Sequence, residues 1–433
     1  MGNRAFLFGP ILSQPPPQSW LNSRHASAVA PKIEIQSASS RLQSPPAVPP
    51  PGMVTELLDW DRATSLASEW MDLTRRAAEP NVFLEPGFVL PAVQHEPAAR
   101  RPSFLFFRKA EAHGAAGRLI GIFVFVPPKS TQRGVMKLWI NPMMAAGAPL
   151  VDANEGMAAI EGLQLYVAKH YPGIETVLLP QVNVRGPVAR LLGAHAVSHG
   201  LITRIFDRRS RAIVTNQRDT LDVAQNFIST KKRKELRRQR RRLEDLGALT
   251  YKSAKEPDDL RAAMERFLAL EASGWKGGQS TALLSDPSTA TFARTMVRNF
   301  ARKNACRIDA LELDGKPIAM GIVISAGDTA FYWKTAYDEA FARFSPGVLF
   351  SLDMTTHMIA EGAHELINSC AISNHPMIDH IWRERMEIGD LAVATLNASP
   401  HRVAIAMNRE TARRHVRSLA KRVYYKLLRK QPC

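Results

Sequence analysis

A carboxylate on the apolar face of a helix is the first pattern in this sequence that points to chemistry. Leu260, Met264, Phe267 and Leu268 repeat at helical spacing, and Glu271 falls on the same face, four residues after Phe267 and three after Leu268. Desolvation raises a carboxyl pKa toward neutrality. A general base that takes a proton from an attacking amine or hydroxyl needs that shift. The alternative is a helix-end glutamate paired with Lys276 or another basic neighbour. Trp275 and Lys276 lie among Gly274, Gly277 and Gly278, a composition suited to a mobile loop that walls an acceptor pocket.

A second pattern is a strand that runs into a small-residue turn and then a helix. Phe331 to Ala336 are bulky or β-branched and suit a half-buried strand, with Lys334 and Trp333 alternating so that one faces the sheet layer and the other away. Ser345 and Pro346 offer an N-cap hydroxyl and a first-turn proline, and Leu349, Leu352, Thr356 and Ile359 continue at helical spacing. Such a helix start has unpaired N–H groups and a positive dipole end, and Gly347 lets the backbone approach a ligand, so a pyrophosphate can dock there. Ordinary packing of a strand-turn-helix unit gives the same pattern. Tyr337 and Asp338 close the strand as a proton donor and a carboxylate, or as a core residue and a turn cap. His375 and Asp379 share a face if a helix begins at Pro376, which would orient the imidazole as a base. No nucleophilic serine or cysteine completes a triad with them, and His364, His375 and His380 do not make a metal set with the available carboxylates.

Trp333-Lys-Thr-Ala-Tyr-Asp338 followed by Arg343-Phe-Ser-Pro-Gly-Val-Leu349, with Leu270-Glu-Ala-Ser-Gly-Trp-Lys-Gly277 upstream, resembles the acetyltransferase domain of cellulose-biosynthesis-associated GNAT proteins, relatives of the Fem-type aminoacyltransferases. The resemblance spans about 206–396. It is weaker over 55–205, where Asn81-Val-Phe-Leu-Glu-Pro86 and Gly147-Ala-Pro-Leu150 resemble the family's N-terminal half. The wider family's Arg/Gln-x-x-Gly-x-Gly/Ala loop is replaced here by Arg343-Phe-Ser-Pro-Gly-Val.

The resemblance implies an α+β fold of tandem GNAT-like domains, each a mostly antiparallel mixed sheet flanked by helices. It implies transfer of an acyl group from acetyl-CoA or another acyl-CoA to an amine or hydroxyl, on a polysaccharide or cell-envelope precursor, with no metal. On that reading Glu271 is the base, with Tyr337, Asp338 and His375 as further catalytic residues and Tyr337 protonating the departing thiolate. Lys334, Arg343, Ser345, Gly347 and Val348 would hold the donor, and Trp275, Lys276, Trp333 and Asp379 the acceptor. Two other readings stay open: a basic scaffold that grips nucleic acid or phospholipid, and Fem-like aminoacyl transfer from charged tRNA.

These residues need elements to position them, and 433 residues with 45% hydrophobic content suffice for two or three packed domains. Residues 1–52, rich in Pro, Ser, Gln and Ala, read as a disordered leader. A helical pattern through Leu57, Leu58, Ala63, Leu66, Trp70 and Leu73 opens a first domain over 53–205; a second covers 206–400, with a linker near 206–220, and a basic helix fills 401–433. Two hairpins share one grammar. Phe104–Phe107 with Arg118–Phe125, and Arg307–Leu313 with Pro317–Ile324 across Asp314-Gly315, each carry a glycine in the second strand, Gly121 and Gly321, which argues for duplication.

A net charge of +17 suggests an acidic partner. Its main source is Lys231-Lys-Arg-Lys-Glu-Leu-Arg-Arg-Gln-Arg-Arg-Arg-Leu243, where Leu236 and Leu243 can pack while the other faces stay cationic as a solvated helix, a phosphate clamp or a nucleic-acid patch. The tail from Arg409 to Lys430, with Val416, Leu419, Val423 and Leu427 at helical spacing, suits docking on the domain or on an anionic membrane. Three scattered cysteines fit a reducing compartment, with Cys306 and Cys370 as inert core residues. The start lacks a signal-peptide core and no apolar run can span a bilayer, so the expected location is cytoplasmic with peripheral contact at the inner membrane.

Overall fold

The computed structural model describes residues 52–97, 100–111, 116–129, 132–215 and 229–428. The expected leader, apart from Gly52, and residues 216–220 of the expected linker lie outside that set. The strands in chain order are β1 (Met53–Leu58), β2 (Ser103–Ala110), β3 (Ala116–Phe125), β4 (Gly134–Lys137), β5 (Leu150–Val151), β6 (Ile174–Asn183), β7 (Thr203–Thr215), β8 (Leu249–Ala254), β9 (Cys306–Leu313), β10 (Lys316–Ala326), β11 (Thr329–Tyr337), β12 (Leu366–Asn368) and β13 (Glu384–Ala394). Leu57 and Leu58 therefore belong to a strand rather than to the expected helix. The helical pattern resumes as Trp60–Ser65 and Ala67–Arg76, where Trp70 and Leu73 are fully buried.

Two sheets result, β1-β2-β3-β5 and the nine-stranded β4-β6-β13-β7-β12-β11-β10-β9-β8. All their pairings are antiparallel except β4 with β6 and β11 with β12. Helices cover the faces, so the class is α+β, with strands and helices of two related halves. Both expected hairpins form, β2–β3 and β9–β10. At the second, Asp314 and Gly315 take φ of 49° and 77°, the left-handed pair that a two-residue hairpin turn requires.

The two glycines occupy equivalent places. A Cβ on Gly121 would lie 2.6 Å from the Ala159 Cβ of helix Gly156–His170, and one on Gly321 would lie 2.7 Å from Phe350 of helix Pro346–Glu361. In each half the second hairpin strand is therefore bare where the next α-helix along the chain lies on it, a correspondence that supports duplication.

The boundary between the halves is an exchange of strands. β7, the last strand of the first half, pairs with β12 of the second, while β13, the last strand of the second, pairs with β6 of the first; β7 and β13 pair with each other between them. A strand thus straddles the expected 205/206 boundary and occupies the first ten residues of the expected linker. Glu384 fastens the junction, accepting the Thr215 N–H at 2.6 Å and its hydroxyl at 2.9 Å. Trp333 does the same across the core: its indole N–H donates to the Met143 carbonyl at 2.9 Å and its ring meets Phe88 edge-on. Because each half completes the other's sheet, urea denaturation followed by tryptophan fluorescence and by far-UV circular dichroism should give one coincident transition. Two separated transitions would contradict the exchange.

Candidate functional site

β11 and β12 run parallel for only three residue pairs, Thr329–Phe331 with Leu366–Asn368. Cys370 then turns with φ 56° and takes the chain away, while β11 continues to Tyr337. The gap between the diverging strands is a cavity of about 120 Å³. Trp333, Lys334 and Thr335 form one wall, Ser369 to Ala371 the other, and Pro142–Ala145 of the first half closes it. Lys276 and His375 also line it.

A bulge in β11 decides what faces this space. Ile322 pairs with Lys334 and Val323 with Tyr332, which leaves Trp333 as the extra residue. Strict alternation is lost, so Trp333 and Lys334 line the same cavity instead of opposite faces. Arg211, a buried residue of β7, ties both loops together: its guanidinium donates to Ala145 O at 2.7 Å and to Ala371 O at 3.1 Å.

Glu271 is as buried as its helical face requires, at 2% exposure, at the end of helix Pro257–Ser273. It does not have the raised pKa of a base. Burial pushes its carboxyl up, but the Lys334 and Lys276 ammoniums and a 2.8 Å hydrogen bond from Leu283 N–H outweigh that and hold it below the ordinary value of 4.5. Its Oε1 lies 2.9 Å from Lys276 Nζ, which also donates to Thr335 O at 2.8 Å. The ion-pair alternative is what the structure contains. The group brought near neutrality is Lys334: burial lowers its ammonium to about 8, against the attraction of Glu271 and with help from Lys276.

Below Lys276 lies a smaller cleft lined by Glu271, Trp275, Tyr337, His375 and Met377. Trp275 is fixed by its N–H, which donates to Glu339 at 2.8 Å. No α-helix begins at Pro376, and Asp379 meets His375 through the backbone, accepting its N–H at 3.1 Å, while its charge acts on the ring through space. The Nδ1 of His375 accepts from Met377 N–H and Ile378 N–H, which places its proton on Nε2, and burial lowers its pKa to about 4. Burial raises the Tyr337 phenol, with Glu339 adding to it. Asp338 caps the following turn through Ala340 N–H at 2.9 Å and lines neither space.

The expected diphosphate turn is closed. Ser345 takes φ 54° and its hydroxyl makes no cap; its carbonyl instead accepts the N–H groups of Val348 and Leu349 at 3.0 and 3.1 Å. Gly347 is buried, with Met377 and Tyr337 within 3.5 Å of where a Cβ would stand. Arg343 is exposed over the Phe344 ring, and Arg343, Ser345, Gly347 and Val348 line neither space. Beside this turn lies the basic helix Thr230–Glu244, with Leu236, Gln239 and Leu243 buried and Arg240 bound to Asp353 at 2.6 Å. Among the described residues no cluster of His, Cys, Asp or Glu could hold a metal ion, and no helix is long and apolar enough to cross a membrane.

Residues 230–369 match the acetyltransferase (GNAT) domain family. The matched segment contains the splayed β11–β12 pair and both cavity lysines, Lys276 and Lys334. Solved structures of similar fold include FemX (10% identity, 76% of this chain and 96% of that one, TM-score 0.50). Others are L-PGS from Bacillus licheniformis (13%, 78% and 94%, 0.44) and a tandem GNAT protein from the clavulanic acid biosynthesis pathway (15%, 80% and 99%, 0.39). No curated protein matches the sequence significantly. The chain shares its fold with FemX, and the GNAT domain match falls within its second half.

Sequence reasoning misses the loop Pro142–Ala145, Ser369, Ala371 and Arg211, which are brought to the cavity by the exchange of strands and carry no motif. It also takes Cys370 for core, whereas Cys370 is half-buried in the cavity wall; burial pushes its thiol up to about 12 and leaves it protonated.

Glu271→Gln leaves the Lys276 ammonium buried without its counter-charge and is expected to cost about 3–5 kcal/mol, read from urea midpoints at neutral pH. The depressed carboxyl contributes stability above its ordinary value of 4.5, and that contribution is lost as pH falls through the folded-state value, so the two proteins should converge in acid.

Proposed function

We propose that the protein is an acyltransferase that moves an acyl group from an acyl-CoA thioester to an amine or hydroxyl acceptor in the splay between β11 and β12. The observation that carries this reading is the divergence of a parallel strand pair inside the segment matching the GNAT domain, opening onto a cavity that holds an amine titrating near pH 8. Beyond Phe331 the β12-facing edge of β11 has no strand beside it among the described residues. Backbone N–H groups of such an edge are suited to a developing oxyanion. The family resemblance in the sequence points to a sugar or cell-envelope precursor as acceptor.

In this mechanism the acceptor's nitrogen or oxygen forms a bond to the acyl carbon, and the carbon–sulfur bond breaks. Lys334, neutral in part at physiological pH, receives the acceptor's proton, a role expected from sequence for Glu271. Glu271 instead holds Lys276 against the Thr335 carbonyl, which keeps a positive charge beside Lys334 and lowers its proton affinity. Tyr337, kept protonated by burial, supplies the proton to the departing thiolate. His375 is a neutral donor through Nε2 and is too weakly basic to compete with Lys334.

Isothermal titration with acetyl-CoA and a survey of amine and hydroxyl acceptors test the reading. Ala371→Trp, which fills the cavity, should abolish donor binding. Lys334→Met should retain binding and lose about 100- to 10,000-fold in kcat. The pH profile of kcat/KM should rise through about pH 8, because the active form is the deprotonated amine, and this limb should vanish in Lys334→Met. Full activity in that variant removes Lys334 from the mechanism; absence of acyl-CoA binding by the wild type overturns the donor assignment.

A further inference from the structure

The helix Pro400–Leu428 begins packed and is exposed over 415–420 and at Arg422 and Val423. Val403, Ala406 and Met407 are buried and lie across β4 and β6, with Val403 and Met407 packed against Leu178, Phe206 and Ala392. Arg414, bonded to Asp390 at 2.8 Å, ties the middle of the helix to β13. Beyond it Val416, Leu419 and Val423 are 67%, 57% and 58% exposed, an apolar stripe flanked by Arg417 and Arg422.

Between the first part of this helix and the edge strand β4 lies a cleft of about 680 Å³. Lys129, Arg133, Lys137, Arg409 and Arg413 line it against a single carboxylate, Glu410, which is already bonded to Arg413 and Arg414. Its floor is apolar, with Leu138, Trp139 and Leu178. Arg409, Val416 and Val423 are spaced by sevens, so the cleft's mouth and the apolar stripe share one face of the helix.

We propose that this face docks on an anionic phospholipid bilayer, the cleft's cations taking lipid phosphates and Val416, Leu419 and Val423 entering the boundary between headgroups and acyl chains. Charge complementarity alone would also suit a nucleic acid. The apolar stripe decides between them, because three exposed aliphatic side chains gain nothing against a phosphodiester backbone and gain burial in a membrane interface.

Flotation of the full chain with phosphatidylcholine vesicles, with and without phosphatidylserine, tests this without any acyl donor or acceptor, so it fails or succeeds independently of the transferase reading. Binding is expected only with phosphatidylserine and should weaken in high salt. It should fall about fivefold for each of Arg409→Ala and Arg413→Ala. It should be lost in Val416→Asp/Leu419→Asp, whose fold is checked by circular dichroism. No binding to phosphatidylserine vesicles, binding unchanged by the aspartates, or binding to tRNA in place of vesicles would each overturn the proposal. So would self-association through the same face.

Discussion

The antiparallel pairing of β7 with β13 is the contact on which the other features rest. Neither half can close its sheet without the other's last strand, so the nine-stranded sheet exists only when both halves are folded. That pairing sets the limits of β12, a three-residue strand held between β7 and β11. It also carries Arg211 to a point from which one guanidinium reaches both loops that close the cavity. The gap between β11 and β12 is therefore a product of long-range topology. Its width is set by residues more than a hundred positions away in the chain, and contacts so distant in sequence are slow to form during folding.

Within the gap the chemistry is decided by two ammoniums competing for one carboxylate. Lys276 takes the direct contact with Glu271 and a carbonyl besides. Lys334 is left with attraction through space, and the cost of burial exceeds it. The consequence reverses the roles that residue types suggest: the acid stays ionised and structural, and an amine becomes the group able to exchange a proton near neutrality. A buried carboxylate acquires a pKa near neutrality only where no cation is near enough to stabilise its charge.

Periodicity makes the local elements legible. The buried face Leu260, Met264, Phe267, Leu268 and Glu271, the two hairpins with their glycines, and the packed stripe Leu236 and Leu243 are all readable from spacing, because each depends on neighbours along one element. What spacing does not encode is which element lies opposite. The pairing of Glu271 with Lys276, the bulge that turns Trp333 toward the face of Lys334, and the arrival of Met143 and Arg211 at the cavity all depend on packing between elements. The strand exchange is hidden for the same reason: β7 reads as a linker because its centre is polar and charged, with Asp207, Arg208 and Ser210 exposed beside buried Arg211 and Ala212.

On the acyltransferase reading, the closed turn at Ser345 bears on how a phosphate-bearing donor would be held. A helix start binds anions when its first amides point outward, but here Pro346 has none, Gly347 is buried against Met377 and Tyr337, and Val348 bonds back to the Ser345 carbonyl. Positive charge is supplied nearby by side chains instead, since Lys231, Arg237, Arg238, Arg241 and Arg242 are exposed on a helix fastened to the same region through Arg240 and Asp353. Amides fixed in a loop recognise a diphosphate by shape, whereas mobile arginines attract it by charge and yield to salt. On the acyltransferase reading, selectivity then rests with the splayed strands that meet the thioester, and the basic helix contributes affinity without discrimination.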